Sequence, residues 1–117
     1  MNKSVCDDIS MPLHESETCE LKRSSAELEE ALKSMVAILN KHQQGELYFG
    51  IKDNGEVIGQ DVSDKTLRDI AQLANQKIEP RIFPEINQVR LEDKDCIRIE
   101  FHGLQAPYFY DGRGYLR

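Results

Sequence analysis

The chain has 117 residues, 39% of them hydrophobic and 31% charged, enough for one compact domain and too apolar to stay disordered. No run approaches the roughly 18 uncharged residues that a membrane-spanning helix needs, and the net charge of −6 has the wrong sign for coating nucleic acid by bulk electrostatics. The imbalance lies in residues 1–60, with six basic against eleven acidic side chains, while residues 61–117 carry nine against ten. Any phosphate contact must therefore come from a local cluster, such as the Lys22-Arg23 pair or the arginines of the second half.

Residues 1–13 lack periodicity, include Pro12 and read as an N-terminal arm or linker, which leaves residues 14–117 as the domain. Met1–Glu17 has no apolar h-region, so no secretory signal is predicted and a cytoplasmic location is expected. Cys6, Cys19 and Cys96 are odd in number and lack C-x-x-C spacing, which predicts reduced thiols, mostly interior, and neither a disulfide framework nor a zinc ribbon.

Thr18–Lys22 alternates, with Cys19 and Leu21 on one side, and predicts a half-buried strand. Ser24 stands three residues before Glu27, a capping-box pattern, and Leu28, Leu32, Met35, Val36 and Leu39 follow at helical spacing, predicting a helix of about four turns that ends near Gly45. Leu47–Ile51 is a continuous apolar run, as expected of a central strand covered on both faces. Asp53-Asn54-Gly55 has the residues of a tight turn, with Val57-Ile58 as the return strand. Ser63 is placed to cap a second helix with Leu67, Ile70, Ala71, Ala74 and Ile78 as its apolar stripe, stopping before Pro80.

Beyond Pro84 the pattern becomes β. Val89 and Leu91 alternate with polar neighbours, Asp93-Lys94-Asp95 turns the chain, and Ile97, Ile99 and Phe101 alternate against Arg98 and Glu100. Tyr108–Tyr110, Asp111-Gly112 and Tyr115–Arg117 predict a third hairpin, cut off at the chain end as if inside a longer protein. The order β-α-β-β-α-β-β-β predicts an α+β fold: a mixed, largely antiparallel sheet of about six strands packed on two helices.

Three segments, in this order and spacing, resemble the Schlafen AlbA-like domain, which also occurs in bacterial proteins described as transcriptional regulators or divergent AAA proteins. They are Glu15–Lys22, similar to the family's opening strand; Ala37–Asn40 with Gly45–Gly55 and Val57–Gly59, similar to its helix end, turn, strand and hairpin; and Ile78-Glu79-Pro80 with Pro107–Phe109 and Gly114–Arg117. Many members have two glycines after the helix-end Asn, and here Gln44 takes the first of those places. The resemblance implies the N-terminal domain of a larger regulator, with a C-terminal regulatory region as a partner. No G-x-x-x-x-G-K-[ST] run is present, so no P-loop for ATP is predicted.

Some Schlafen proteins are metal-dependent ribonucleases with two glutamates five positions apart and a later aspartate. The resemblance maps that set onto Glu15, Glu20 and Asp53, which as a nuclease would hold Mg²⁺ or Mn²⁺ and activate water. Positions five apart in a straight strand face opposite ways, so Glu15 and Glu20 converge only if the chain bends near Ser16 or Glu17. Without a metal, Asp53 is a turn residue and Glu20 the solvent side of a strand. The ribonuclease members build their groove from two copies of the domain, and a homodimer would supply the second wall here.

Other chemistry is sparse. His14, His42 and His102 are scattered, which argues against zinc, and His42 in the last helical turn suits the negative end of the helix dipole. Cys19 and Cys96 read as core residues, and Ser24 and Ser25 as helix-start residues. Asn40 either contacts a ligand or bonds the last carbonyls of its helix. Lys22, Arg23, Asn40, Arg113, Tyr115 and Arg117 are the candidate nucleic-acid contacts. Tyr108, Tyr110 and Tyr115, with Arg113 and Arg117, form either a base-stacking edge or a plain tyrosine-rich hairpin packed on the sheet. Three functions are thus open: a nucleic-acid-binding domain of a transcriptional regulator, with DNA or RNA as partner; a divalent-metal endoribonuclease; and a protein-interaction or dimerisation module favoured by the acidic first half.

Overall fold

A computed structural model describes residues 9–117. Residues 1–8, with Cys6 and most of the expected arm, lie outside the described residues. The order is β1 (Cys19–Lys22), a 3-10 turn (Ser25–Glu27), α1 (Leu28–His42), β2 (Gln44–Phe49), α2 (Asp64–Lys77), β3 (Ile78–Glu79), β4 (Glu85–Leu91), β5 (Lys94–His102), β6 (Phe109–Tyr110) and β7 (Arg113–Gly114). The class is α+β, and the strands divide into two sheets. One is four-stranded in the order β1-β2-β5-β4, the other three-stranded in the order β3-β6-β7. Only β1 and β2 run parallel, joined through α1, since parallel neighbours need a long crossover; the other pairs are antiparallel.

α1 forms because its apolar residues recur on one stripe, and Leu32, Met35, Val36, Ile38 and Leu39 are fully buried. Each such side chain contributes roughly 1.5–3 kcal/mol on leaving water. The start departs from the predicted capping box. Ser24 Oγ accepts from the Ala26 N–H at 3.1 Å, and Glu27 accepts from the Arg23 N–H at 3.2 Å. The reason is tertiary: Gln60 accepts from the Ser25 N–H at 2.8 Å and donates to Ser25 Oγ at 3.0 Å, holding the first turn as 3-10.

The end of α1 also differs from the prediction. Gln43 is the left-handed cap, with φ 70°, and its N–H bonds Leu39 O, so the chain enters β2 at Gln44 with no glycine turn. Gly45 lies inside β2, where a Cβ would sit 2.7 Å from Ile38 Cγ2 and 2.8 Å from the Thr18 carbonyl. Close approach of helix and strand, rather than turn geometry, requires glycine there.

The apolar run through Phe49 is a central strand, as predicted, but the return strand at Val57-Ile58 is not formed. Gly50, at φ 101°, turns the chain out of the sheet, and its carbonyl accepts from both Ile58 and Gly59 N–H groups at 2.8 Å. A single bridge, Ile51 to Val57, is left. α2 carries the predicted Ser63 cap, in a capping box with Thr66. Its stripe is narrower than expected, for only Ile70 and Ala74 are buried within it, and Ile78 belongs to β3.

β4 and β5 form the second predicted hairpin. Its turn is Glu92-Asp93, both at positive φ, one step earlier than the predicted Asp93–Asp95 and in the pattern of a type I′ connection. The third hairpin closes at Asp111-Gly112, but its return strand is Arg113-Gly114 rather than Tyr115–Arg117, and it pairs with β3 instead of extending the main sheet.

Two apolar clusters result. The larger joins α1, α2 and one face of the main sheet through Leu47, Phe49, Ile97, Ile99 and Phe101, and takes in Tyr108 and Tyr110. The smaller lies on the opposite face, where Leu13 packs on Leu21, Tyr48, Val89 and Cys96. No helix is long and apolar enough, among the described residues, to cross a membrane.

Candidate nucleic-acid interface

The chain turns at Glu17-Thr18, just before β1, where Ser16 and Cys19 form an antiparallel bridge. This bend folds Glu15 back, and its Oε2 accepts from the Leu21 N–H at 3.1 Å. Glu15, Glu20 and Asp53 therefore line one polar cavity of about 230 Å³, together with Lys22, Arg23 and Glu27.

The carboxylates in that cavity are already engaged. Glu20 Oε1 lies 2.9 Å from an Arg117 guanidinium nitrogen, and its Oε2 lies 3.5 Å from Lys22 Nζ. Mg²⁺ or Mn²⁺ would need several oxygens converging at about 2.0–2.6 Å. Among the described residues no group of three or more His, Cys, Asp or Glu side chains is placed to hold a metal ion. With one carboxylate on a backbone N–H and another between two cationic side chains, the donor set does not fit a divalent ion in this arrangement.

Arg117 does more than neutralise Glu20. It donates from Nε to the Glu17 carbonyl at 3.1 Å and from a terminal nitrogen to the Ser16 carbonyl at 2.7 Å, so it fastens the end of the described chain to the bend before β1. Beside it, Glu17 accepts from Lys41 at 2.9 Å and meets His42 Nε2 at 3.0 Å. These two hydrogen bonds, His42 first, bring the Glu17 carboxyl down to about 2.

Asn40 takes neither role predicted for it. Its amide nitrogen donates to the Tyr108 and Tyr115 carbonyls at 2.9 and 2.8 Å, and its oxygen accepts from the Tyr108 N–H at 2.6 Å. The side chain clamps the C-terminal hairpin onto α1, with its donors occupied and none left for a ligand. Tyr108 and Tyr110 are 1% and 2% exposed, which places both rings in the core and off any stacking edge. Burial, with Glu29 and Asp111 nearby, raises the Tyr110 hydroxyl to about 12. Tyr115 is half-buried, with Lys33 Nζ 6.0 Å from its ring centroid.

On the outer side of the small sheet the picture changes. Phe109 is 37% exposed and pairs across the ladder with Gly114, where a Cβ would stand 3.5 Å from its ring. Arg113 is exposed on the same hairpin, and Arg81 follows β3; neither has an ion-pair partner among the described residues. Arg23 is exposed at the cavity mouth, its neighbour Lys22 half-buried against Glu20. Phe109 was absent from the sequence-derived candidates, although the Tyr-Phe-Tyr alternation does turn it away from two core rings.

Arg98 was not singled out in the sequence, where it is simply a polar position alternating with Ile97 and Ile99. It is 6% exposed, reaching Glu46 at 3.0 Å and Glu100 at 3.2 Å, while Tyr48 donates to Glu46 at 3.1 Å. Burial alone would lower its pKa, but the Glu46 hydrogen bond and surrounding negative charge outweigh that and raise it. Beside this group a groove of about 950 Å³ runs between residues 10–16 and the sheet, with Glu46, Glu85 and Glu100 on its walls, which makes that face hostile to phosphate. Cys19 and Cys96 are thiols. Burial, aided by Glu46, pushes Cys19 up to about 12, unlike an activated nucleophile, and Cys96 is fully buried.

The profile of the family described as Schlafen, AlbA_2 matches residues 15–117. The chain belongs to that family. Among solved structures, the family fold is shared with the solution NMR structure of the N-terminal domain of an ATP-dependent DNA helicase RecG-related protein from Nitrosomonas europaea. The similarity has a TM-score of 0.66 at 22% identity and covers 90% of this chain and 80% of that one. A comparison with curated proteins finds no match.

Proposed function

We propose that the chain is a nucleic-acid-binding module whose contact surface is the exposed part of the β6-β7 hairpin and the chain just beyond β3. The carrying observation is an exposed aromatic ring, Phe109, on a hairpin that Asn40 clamps to α1, with two exposed guanidinium groups nearby in the chain, Arg113 on the return strand and Arg81 just after β3, neither in an ion pair among the described residues. An aromatic face stacks on a base whatever its sequence, and arginine meets the flanking phosphates. Family membership and the helicase-related title of the structural relative support the reading. The net charge of −6 is compatible with it because the acidic groove lies on the other sheet. Lys22 and Arg23 extend the same chemistry at the cavity mouth. A part in transcription regulation is the finer form of this proposal and requires preference for particular DNA sequences.

Fluorescence anisotropy with labelled single-stranded and duplex oligonucleotides of equal length tests it. Affinity should fall steeply with salt, and Arg113→Ala should reduce the salt slope by about 1. Phe109→Ala should cost about 1–3 kcal/mol of binding to single strands. A flat salt response, or wild-type affinity in both variants, would overturn the assignment. Self-association without nucleic-acid binding would select the interaction module instead.

A further inference from the structure

The groove between residues 10–16 and the four-stranded sheet carries a charge pattern that works against the sheet. Register sets Glu46 opposite Glu100 and Glu100 opposite Glu85, so one row across β2, β5 and β4 brings three carboxylates to the groove. With strands about 4.8 Å apart the row is about 10 Å long, and like charges directly opposite one another destabilise a sheet. Arg98 reaches two of the three, Glu46 at 3.0 Å and Glu100 at 3.2 Å. Glu85 is exposed and has no ion-pair partner among the described residues, none of whose Lys or Arg side chains lines the groove. Beside the row stands an apolar wall: Phe83, two residues before Glu85, lines the groove and is 81% exposed.

We infer that this groove is a docking site for a basic segment of another protein, an extended stretch in which arginine or lysine alternates with apolar side chains. Charge decides the occupant. Three carboxylates share one guanidinium, so the row lacks counter-charge that a cationic segment supplies and that nucleic acid does not. Size agrees with charge. About three residues of extended chain span the roughly 10 Å of the row, and a volume of about 950 Å³, near the upper end for ligand pockets, suits a stretch of peptide rather than a lone ion.

The bonding within the row says where the segment makes its contacts. Glu46 is held on both oxygens, by Arg98 and by the Tyr48 hydroxyl, so an incoming cation meets Glu85 and Glu100. An apolar neighbour of that cation covers the Phe83 ring and removes it from water. Contacts of this kind, charged and open to solvent, steer association and weaken with salt. The inference is independent of the nucleic-acid reading, because the groove and the β6-β7 hairpin share no residue.

Fluorescence polarisation of a short labelled peptide alternating arginine with leucine, titrated with the 117-residue chain at low salt, tests the inference. Wild type should bind this probe and ignore one in which glutamate replaces arginine. Glu85→Gln should weaken binding about threefold to fivefold and Phe83→Ser about tenfold. Both side chains are exposed, so both variants should fold. Asp64→Asn, which takes the same charge from the start of α2, should leave the affinity unchanged. In the NMR spectrum the probe should move the amide signals of residues 10–16, 83–85 and 100–102. The assignment is overturned if wild type does not bind, if both groove variants bind as wild type does, or if Asp64→Asn loses as much as Glu85→Gln. Shifts centred instead on the cavity of Glu15, Glu20 and Asp53 would overturn it as well.

Discussion

The two faces of the four-stranded sheet are built on different physics. Toward the helices, Leu47, Phe49, Ile97, Ile99 and Phe101 make a dry face closed by α1 and α2. On the other side, Leu13 packs with Ile51, Val57 and Ile9 over the end near Leu21, Val89 and Cys96. The rest presents Arg98 between Glu46 and Glu100 beside an open groove. Burial of apolar area stabilises in proportion to what it removes from water, whereas a buried ion pair returns little beyond its own desolvation cost. One face therefore holds the fold together, while the other tolerates change and carries charge.

The largest expected effect comes from the dry face. Ile99→Ala should destabilise by about 2–5 kcal/mol, through lost transfer energy plus a residual cavity. On the opposite face, Arg98→Met combined with Glu46→Gln and Glu100→Gln removes the ion pairs without leaving either partner carboxylate uncompensated and should cost less than about 1.5 kcal/mol despite the low exposure of Arg98. Urea denaturation of both variants measures the contrast directly, and equal losses would erase it.

A smaller effect sharpens the comparison at a third place, where the C-terminal hairpin meets α1. Asn40→Ala removes three hydrogen bonds to the Tyr108 and Tyr115 backbone and should cost about 1–3 kcal/mol. Faster amide exchange should be confined to residues 108–115, with β2 and β5 unchanged. Spread of the effect into the main sheet would mean that the hairpin is part of the central cooperative unit.

The smallest effect is electrostatic and pH-dependent. Because Glu17 titrates near 2 in the fold, below its ordinary value of 4.5, its contact with His42 and Lys41 contributes stability at neutral pH. That contribution is present above the unfolded value and is lost as pH falls from about 4.5 through about 2. Glu17 is fully exposed, so the loss is small and screened by salt. Thermal melts from pH 6 down to 2 should show a shallower acid decline for Glu17→Gln than for wild type, and coincident curves would remove Glu17 from the account.

Much of the fold was legible because its signals are local. The helical stripe from Leu28 to Leu39, the Ser63 cap and the alternation of Ile97, Ile99 and Phe101 each lie within one turn or one strand. The candidate site was legible only in part. Glu15, Glu20 and Asp53 were picked out as a group and do share a cavity, because a bend at Glu17-Thr18 supplies what a straight strand cannot. The occupation of Glu20 by Arg117, nearly a hundred residues away in sequence, left no trace in local pattern. Asn40 misled for the same reason: its partners are backbone atoms of a distant hairpin.

Sequence alone determined the α+β class, both helices, the central strand and the β4–β5 hairpin, since period, caps and turn residues act within a few positions of one another. Tertiary structure alone decided that Gln43 rather than Gly45 ends α1 and that the third hairpin pairs with β3 in a sheet of its own. It also decided that Arg98 is buried, that Tyr108 and Tyr110 are core, and that Glu20 faces a guanidinium instead of water. Those outcomes depend on which distant groups approach within hydrogen-bond distance, and such proximity arises only when the whole chain is packed.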